Sequence, residues 1–287
     1  MKVNRHKLDD PDYPDILRNI PSPPKELFWV GAPLNDWLDK PKVAIVGSRK
    51  ISQYGRSVTH QLAGELAEAG VVIISGLAYG VDAAAHQAAL EAGGITVAIL
   101  PGSVQQVYPT GHAGLAKRII DQGGSLVSEY PQGTIAFKQN FVARNRIVSG
   151  LADALLITEA AAASGSLHTA RFALDQGKTV MTIPGNITSP ASEGCNNLIK
   201  TGATPVTSVQ DVFFALNLQI GPKKKYRAFR GSPEEEAVLE LIRGGLQDQE
   251  EIAGQVKLDA PAMSTTLTIL EIGGYIKPAG AGNWLPI

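Results

Sequence analysis

Cysteine is almost missing from this sequence. Cys195 is the only one among 287 residues, which excludes a disulfide framework and any zinc site built on cysteine. Histidine is sparse as well: His6, His60, His86, His112 and His168 are scattered, with no H-x-x-x-H pair, so neither a metal enzyme nor a cofactor is expected. A net charge of −1 leaves no global basic field, and any polyanion site must be a local patch. No run approaches the roughly 20 apolar residues of a membrane span. The start, Met1-Lys2-Val3-Asn4-Arg5-His6, has no apolar signal core. These two features lead us to expect a cytoplasmic protein with no membrane contact. Also lacking are a Walker loop, a G-x-G-x-x-G fingerprint, a Ser–His–Asp order, catalytically spaced carboxylate pairs and any internal repeat.

What is present is a regular alternation. Hydrophobic residues make up 44% and charged residues 18%, an ordinary balance for a globular core, and 30 glycines suit many tight turns. Apolar runs occur at Val43–Val46, Val71–Ile74, Thr96–Leu100, Leu126–Val127, Ala154–Ile157 and Thr179–Ile183, separated by stretches with helical spacing such as Ala83–Ala92, Leu115–Asp121 and Leu167–Leu174. Strand, turn and helix in succession predict an α/β fold with a doubly wound parallel sheet over residues 41–217, because parallel neighbours need helical crossovers. The proline-rich residues 1–40 read as an ordered extension packed on that core, with Leu27–Val30 as a short strand. Residues 218–232, with Lys223-Lys224-Lys225 and Arg227, read as a basic linker, either a solvated tether or a phosphate contact. Ser232-Pro233-Glu234-Glu235 opens a last unit, 233–287, whose three helices and hairpin predict a small winged helix.

The turn after the first of these runs, Gly47-Ser48-Arg49, then Ser52-x-Tyr54-Gly55, places backbone N–H groups and a helix start at the carboxyl edge of the sheet. Arg49 stands where a dinucleotide fingerprint needs glycine, which points to a phosphate held by a charged fork. Phe137-Lys138-Gln139-Asn140-Phe141-Val142-Ala143-Arg144-Asn145-Arg146 interleaves cations and rings, the requirement for single-stranded nucleic acid, where charges follow phosphates and a ring stacks a base. Arg144 and Arg146 have a second reading as buried structural partners. In Ser75-Gly76-Leu77-Ala78-Tyr79-Gly80-Val81-Asp82 the glycines let backbone approach a ligand and Asp82 is a helix cap, with His86 bonded to it. Ser164-Gly165-Ser166 is a turn at a helix start in which Gly165 and Ser166 read as an anion nest and Ser166 as N-cap. Glu159 resembles a general base with no nucleophile beside it, and Cys195 lacks a His or Lys neighbour that would activate a thiol.

Taken together, Gly47-Ser48-Arg49, Ser52-x-Tyr54-Gly55, Ser75 to Asp82, Ser128-Glu129-Tyr130-Pro131, Phe141-x-x-Arg144-Asn145-Arg146, Ser164-Gly165-Ser166-x-x-Thr169-Ala170 and Pro184-Gly185 resemble the DNA processing protein A (DprA/Smf) family over roughly residues 9–215. The tail resembles the winged helix of many members. The resemblance implies an extended Rossmann-like fold without turnover. It also implies single-stranded DNA binding that protects incoming strands and loads RecA recombinase during natural transformation, by a homodimer. It implies that Gly47, Ser48 and Arg49 hold phosphates with help from Lys138, that Phe141 stacks a base, and that Ser166 and Thr169 add phosphate contacts. Ser52, Tyr54, Gly55, Arg144, Asn145 and Gly165 complete the expected binding set, with Lys178 at its rim. The competing reading is a nucleotide-binding enzyme of a related fold, of phosphoribohydrolase type. Its P-G-G-x-G-T run is lacking at both Pro101-Gly102-Ser103 and Pro184-Gly185-Asn186.

Overall fold

In a computed structural model of the chain, which describes residues 2–218, 229, 231–280 and 282–286, the six apolar runs are six parallel strands of one sheet. The elements of the first part are β1 Asn4–Lys7, α1 Asp15–Arg18, β2 Glu26–Gly31, α2 Asn35–Leu38, β3 Lys42–Val46, α3 Gln53–Glu68, β4 Val72–Ser75, α4 Val81–Glu91 and β5 Thr96–Ile99. They continue as α5 Ala113–Asp121, β6 Ser125–Ser128, α6 Lys138–Leu151, β7 Ala154–Ile157, α7 Ser166–Asp175, β8 Thr179–Thr182, α8 Glu193–Lys200, β9 Thr204–Pro205 and α9 Val209–Ala215. The six expected strands lie within one residue of their expected ends.

The nine-stranded order is β1-β2-β6-β5-β4-β3-β7-β8-β9. The chain therefore steps outward from β3 through β4, β5 and β6, then returns past β3 to add β7 and β8 on its other side. That reversal makes a crevice at the carboxyl ends of β3 and β7, where open α/β sheets bind their ligands. Side-chain alternation explains why these strands lack a polar face. Ala44 and Val46 join a core with Ile147, Val148 and Leu151 of α6 and Ala170 of α7. Val43 and Ile45 point the other way, into a core with Leu62 and Leu66 of α3 and Ala85 of α4. A strand buried on both sides must be apolar at every position.

Residues 1–40 give strands to the same sheet. β2 runs antiparallel to β6, pairing Phe28 with Ser128 and Gly31 with Ser125, and β1 pairs antiparallel with β2. Trp37 is fully buried, and its Nε1 donates to Ser125 Oγ at 3.2 Å. β1 and β9 have no counterpart among the sequence expectations. Both are edge strands, and β9 is two residues long with a proline, a residue tolerated only where no inward ladder bond is needed.

The described chain divides into two units, Met1–Ile220 and Gly221–Ile287. In the second, α10 Pro233–Arg243, α11 Gln249–Val256, α12 Ala260–Ile272 and the hairpin β10 Ile276–Gly280 with β11 Asn283–Pro286 form a winged helix around Val238, Leu239, Ile242, Ile252, Leu267 and Leu270. Ser232 caps α10, accepting from Glu235 N at 3.2 Å, while the Glu235 carboxylate accepts from Ser232 N at 2.9 Å. The expected basic linker, apart from Leu218, Phe229, Gly231 and Ser232, lies outside the described residues. No helix among the described residues is long and apolar enough to cross a membrane.

Candidate nucleic-acid interface

A groove of about 880 Å³ occupies the crevice at the carboxyl ends of β3 and β7. Among the described residues Arg49, Lys50, Lys138 and Arg144 line it against the single carboxylate of Asp82, so this lining is positive on a chain whose net charge is −1. The Arg49 guanidinium lies over the Phe141 ring, 5.1 Å from its centroid. Tyr108 meets the same ring edge-on, at 5.3 Å and 75°. Arg49 and Lys138 are exposed and Phe141 is half-buried. A cation, a partly open ring and a lysine at one rim can hold a phosphate beside a stacked base.

The structure separates the fourteen expected site residues into groups. Gly47, Ser48, Arg49, Lys138, Phe141, Arg144, Asn145, Gly165, Ser166 and Thr169 all line the groove. Of the rest, Ser52 and Tyr54 line a neighbouring recess of about 700 Å³ with Pro184, Gly185 and Asn186. There the Tyr54 hydroxyl donates to Pro184 O at 2.9 Å.

Ser52 and Gly55 both meet Glu159. Glu159 sits two residues past β7 and is 3% exposed. Its carboxylate accepts from Ser52 N at 2.9 Å and from the Ser52 hydroxyl, which in turn caps α3 by accepting from Gly55 N at 3.0 Å. A Cβ on Gly55 would stand 2.6 Å from Glu159 Oε2. The carboxylate read as a possible base is therefore engaged in joining β7 to the start of α3, and Ser48 N bonds the Glu159 carbonyl at 2.8 Å in the same junction.

Arg144 is in the groove as its floor and is 3% exposed. Its Nη1 donates to Gly76 O at 2.6 Å and to Ile99 O, tying together the ends of β4 and β5. Burial lowers its pKa to about 10, against the opposing pull of Asp82, so it stays charged at neutral pH. Gly76 is glycine because a Cβ there would stand 2.5–2.6 Å from the guanidinium, so the expected approach of a ligand to this backbone is an approach of Arg144. Gly80, at φ +79°, would drive a Cβ to within 2.1 Å of Ser48 O. The Gly47-Ser48-Arg49 turn is thus packed from beneath by protein backbone.

Further placements differ from the sequence reading. Asp82 is not the cap of α4, whose N-cap is Gly80; its Oδ2 reaches back to Gly76 N at 3.1 Å and Ala78 N at 3.3 Å. Burial pushes the Asp82 carboxyl above the usual range, opposed by Arg144 and by these N–H groups. His86 bonds Thr96 Oγ1 at 2.6 Å and not Asp82. Ser166 is the first residue of α7 and Gly165 its N-cap, with no side-chain capping bond. Arg146 forms a two-pronged pair with Glu129 at 2.7 and 2.5 Å and donates to Ser22 O, which is its structural alternative. Lys178 precedes β8 at the amino ends of the strands, near Asp153 and Lys42, on the sheet edge opposite the groove. It is not at the rim. Burial raises the Cys195 thiol, which suits an inert side chain.

Tyr108 was missed. It stands in the long connection from β5 to α5, where neither helical nor strand periodicity predicts which way a side chain faces. The only local signal is the Tyr-Pro step inside a segment rich in turn residues. In the second unit, α12 carries no Lys or Arg and exposes Ile269 and Ile272, so the cation-lined groove of the first unit is the stronger candidate for nucleic acid.

The fold and the groove define an α/β protein with a cationic, ring-bearing cleft at the switch point of its sheet and a winged helix in its second unit. The model of the DNA recombination-mediator protein A family matches residues 5–217, that of the DprA winged helix domain matches 223–282, and the chain belongs to this family. It is 37% identical over 291 residues to Protein Smf of Escherichia coli, covering 97% of this chain and 77% of that relative. Against DNA processing protein DprA of Streptococcus pneumoniae it is 43% identical over 208 residues, 71% of each chain. The solved structure of the Streptococcus pneumoniae protein superposes with a TM-score of 0.70 at 39% identity, over 77% of this chain and 76% of that one. A structure of DNA processing protein A from Helicobacter pylori, described for its single-stranded DNA binding mode, gives 0.65 at 35% identity, over 75% of this chain and 96% of that one. The DprA/Smf resemblance and the Rossmann-like fold with its winged helix hold.

Proposed function

We propose that this chain binds single-stranded DNA without turnover, protecting incoming strands and delivering them to a RecA recombinase during natural transformation, as a homodimer. The observation that carries the reading is the Arg49–Phe141 contact at the switch point, with Lys138 beside it: a charge for a phosphate next to a ring for a base. The single-stranded DNA binding mode described for the Helicobacter pylori relative supports the same reading here. Glu159, the carboxylate that resembles a general base, is bonded to Ser52, which supports binding over catalysis.

Fluorescence anisotropy with labelled oligothymidine and a matching duplex, over a salt series, tests it. Wild type should prefer the single strand. Phe141→Ala should cost about 1–3 kcal/mol of strand binding. Arg49→Ala should weaken all sequences alike and lower the salt slope by about one contact. Undiminished binding by a folded Phe141→Ala protein refutes the stacking role. No binding by folded wild type refutes the strand reading, and nucleotide hydrolysis would then be screened. Recombinase filament formation on a coated strand, with and without this protein, tests delivery, and sedimentation over a concentration series tests the dimer.

A further inference from the structure

The floor of the groove holds two charged groups whose bonding is incomplete. Arg144 donates Nη1 to two carbonyls and Nε to Asn145 Oδ1 at 3.3 Å, while Nη2 makes no hydrogen bond among the described residues and is not sealed from solvent. Asp82 is 6% exposed, and its Oδ2 takes both backbone N–H groups. Its Oδ1 takes no hydrogen bond among the described residues and is likewise open. Both residues line the groove and both are held against Gly76. A Cβ there would stand 2.6 Å from Nη2, and Gly76 N is 3.1 Å from Oδ2. An unused donor and an unused acceptor are therefore both held beside Gly76 on the floor, and Arg144 is one helical turn from Phe141 along α6.

Charge decides what can sit there. A phosphate on Arg144 would meet the Asp82 carboxylate, and a cation on Asp82 would meet the guanidinium. A neutral edge with an acceptor beside an N–H satisfies both. The Watson–Crick edge of every nucleobase has that pattern: O4 and N3–H of thymine, O6 and N1–H of guanine, N3 and N4–H of cytosine, N1 and N6–H of adenine. Single-strand readers bind unstacked bases by such edges.

Resting on the strand-binding reading above, we infer that Arg144 Nη2 and Asp82 Oδ1 bind the Watson–Crick edge of the base stacked on Phe141. In a duplex that edge is already paired, so the pair rejects double strands while tolerating any sequence. Strand selectivity then comes from the floor, whose hydrogen bonds add to the affinity supplied by Arg49, Lys138 and Phe141.

The first comparison leaves the protein unaltered. Anisotropy compares oligothymidine, oligodeoxyuridine and a strand of difluorotoluene nucleotides, which keep the shape and stacking face of thymine but offer no edge hydrogen bonds. Deoxyuridine should match thymidine. The difluorotoluene strand should bind at least about tenfold more weakly, as expected when a site built for charge-assisted hydrogen bonds loses them. In Asp82→Asn, whose folding is checked by circular dichroism, the gap should shrink, since an amide turns an N–H toward an N–H. Equal affinity for thymidine and difluorotoluene strands overturns the inference and leaves strand binding standing. A gap unchanged in folded Asp82→Asn overturns the part of Asp82. If folded wild type fails to bind oligothymidine, the strand reading falls and the inference falls with it. If Asp82→Asn does not fold, the strand comparison on wild type decides alone.

Discussion

Substituting Gly76 by alanine asks whether the Arg144 floor is held as tightly as its contacts require. The added Cβ would lie 2.5 Å from Nη1 and 2.6 Å from both Cζ and Nη2, whereas ordinary contact begins near 3.4 Å. The guanidinium must therefore retreat by almost an ångström, and it is 3% exposed with a carbonyl at the end of each of two strands bonded to it. Each such hydrogen bond to a charged group contributes about 1.5–3 kcal/mol. Gly76 does not have a positive φ, so alanine adds no backbone strain, and the lowered entropy of the unfolded chain returns only about 0.4–1 kcal/mol. The clash wins, with an expected net loss of about 2–5 kcal/mol. In urea this should move the unfolding midpoint down by about 1 M at unchanged slope. Gly64→Ala is the control. Nothing lies within 4 Å of its Cβ position inside α3, so helix propensity should stabilise it. If Gly76→Ala is as stable as wild type, Arg144 is not the clamp described here. If both variants shift the same way, packing at Gly76 does not set the sign.

The remaining expectations follow from burial and position. Burial, with His112 and Arg144 adding to it, lowers the His86 pKa from 6.5 to about 3. The folded state therefore refuses a proton that the unfolded chain accepts. Stability from the neutral ring is complete above pH 6.5 and declines as pH falls through the window down to about 3. Between about pH 7.5 and pH 5 the loss should be about 2 kcal/mol, read by urea unfolding at each pH, and a folded His86→Gln variant should flatten that part of the profile. Arg146→Ala leaves Glu129 half-sealed without its partner and should cost about 3 kcal/mol of stability, while the strand affinity of the folded protein stays at the wild-type value. Lys178→Ala should leave strand affinity and its salt slope unchanged, because the side chain lies at the far edge of the sheet. A reduced slope would return it to the binding surface.

Much of the first unit was legible because its signals are local. An apolar run bounded by Gly-Ser or Pro-Gly names a buried strand and its turn, whatever the rest of the chain does, and the alternation fixes parallel pairing. The groove was legible for the same reason: the turns after β3 and β7 must share one edge of the sheet, and ten expected residues meet there. What was not legible depends on partners far away in sequence. Arg49 and Arg144 are the same residue type in motifs of equal prominence. Only the contact of residue 144 with Gly76, 68 positions earlier, makes one a floor and leaves the other free to reach solvent. Nothing local to Ser52 and Gly55 announces that Glu159, 107 residues after Ser52, bonds one and packs on the other.

The division between reaching and framing residues has a physical reason. Buried charges are a weak source of stability, because desolvation offsets most of their attraction. Yet Glu159, Asp82 and Arg144 are all buried at this one edge. Their bonds run between chain segments that hydrophobic packing alone would leave free to slide: Glu159 joins the end of β7 to the start of α3, Asp82 holds Gly76 and Ala78, and Arg144 ties the ends of β4 and β5. Apolar side chains fill the two cores beneath and set how strongly the sheet holds together, but their contacts are non-directional. Directional bonds to fixed atoms are what can hold a cation and a ring at a set distance on separate elements, as Arg49 and Phe141 are. The charge buried at the switch point is therefore better understood as fixing the shape of the groove than as stabilising the sheet. Replacing the frame with apolar residues of equal volume should preserve folding more readily than it preserves binding.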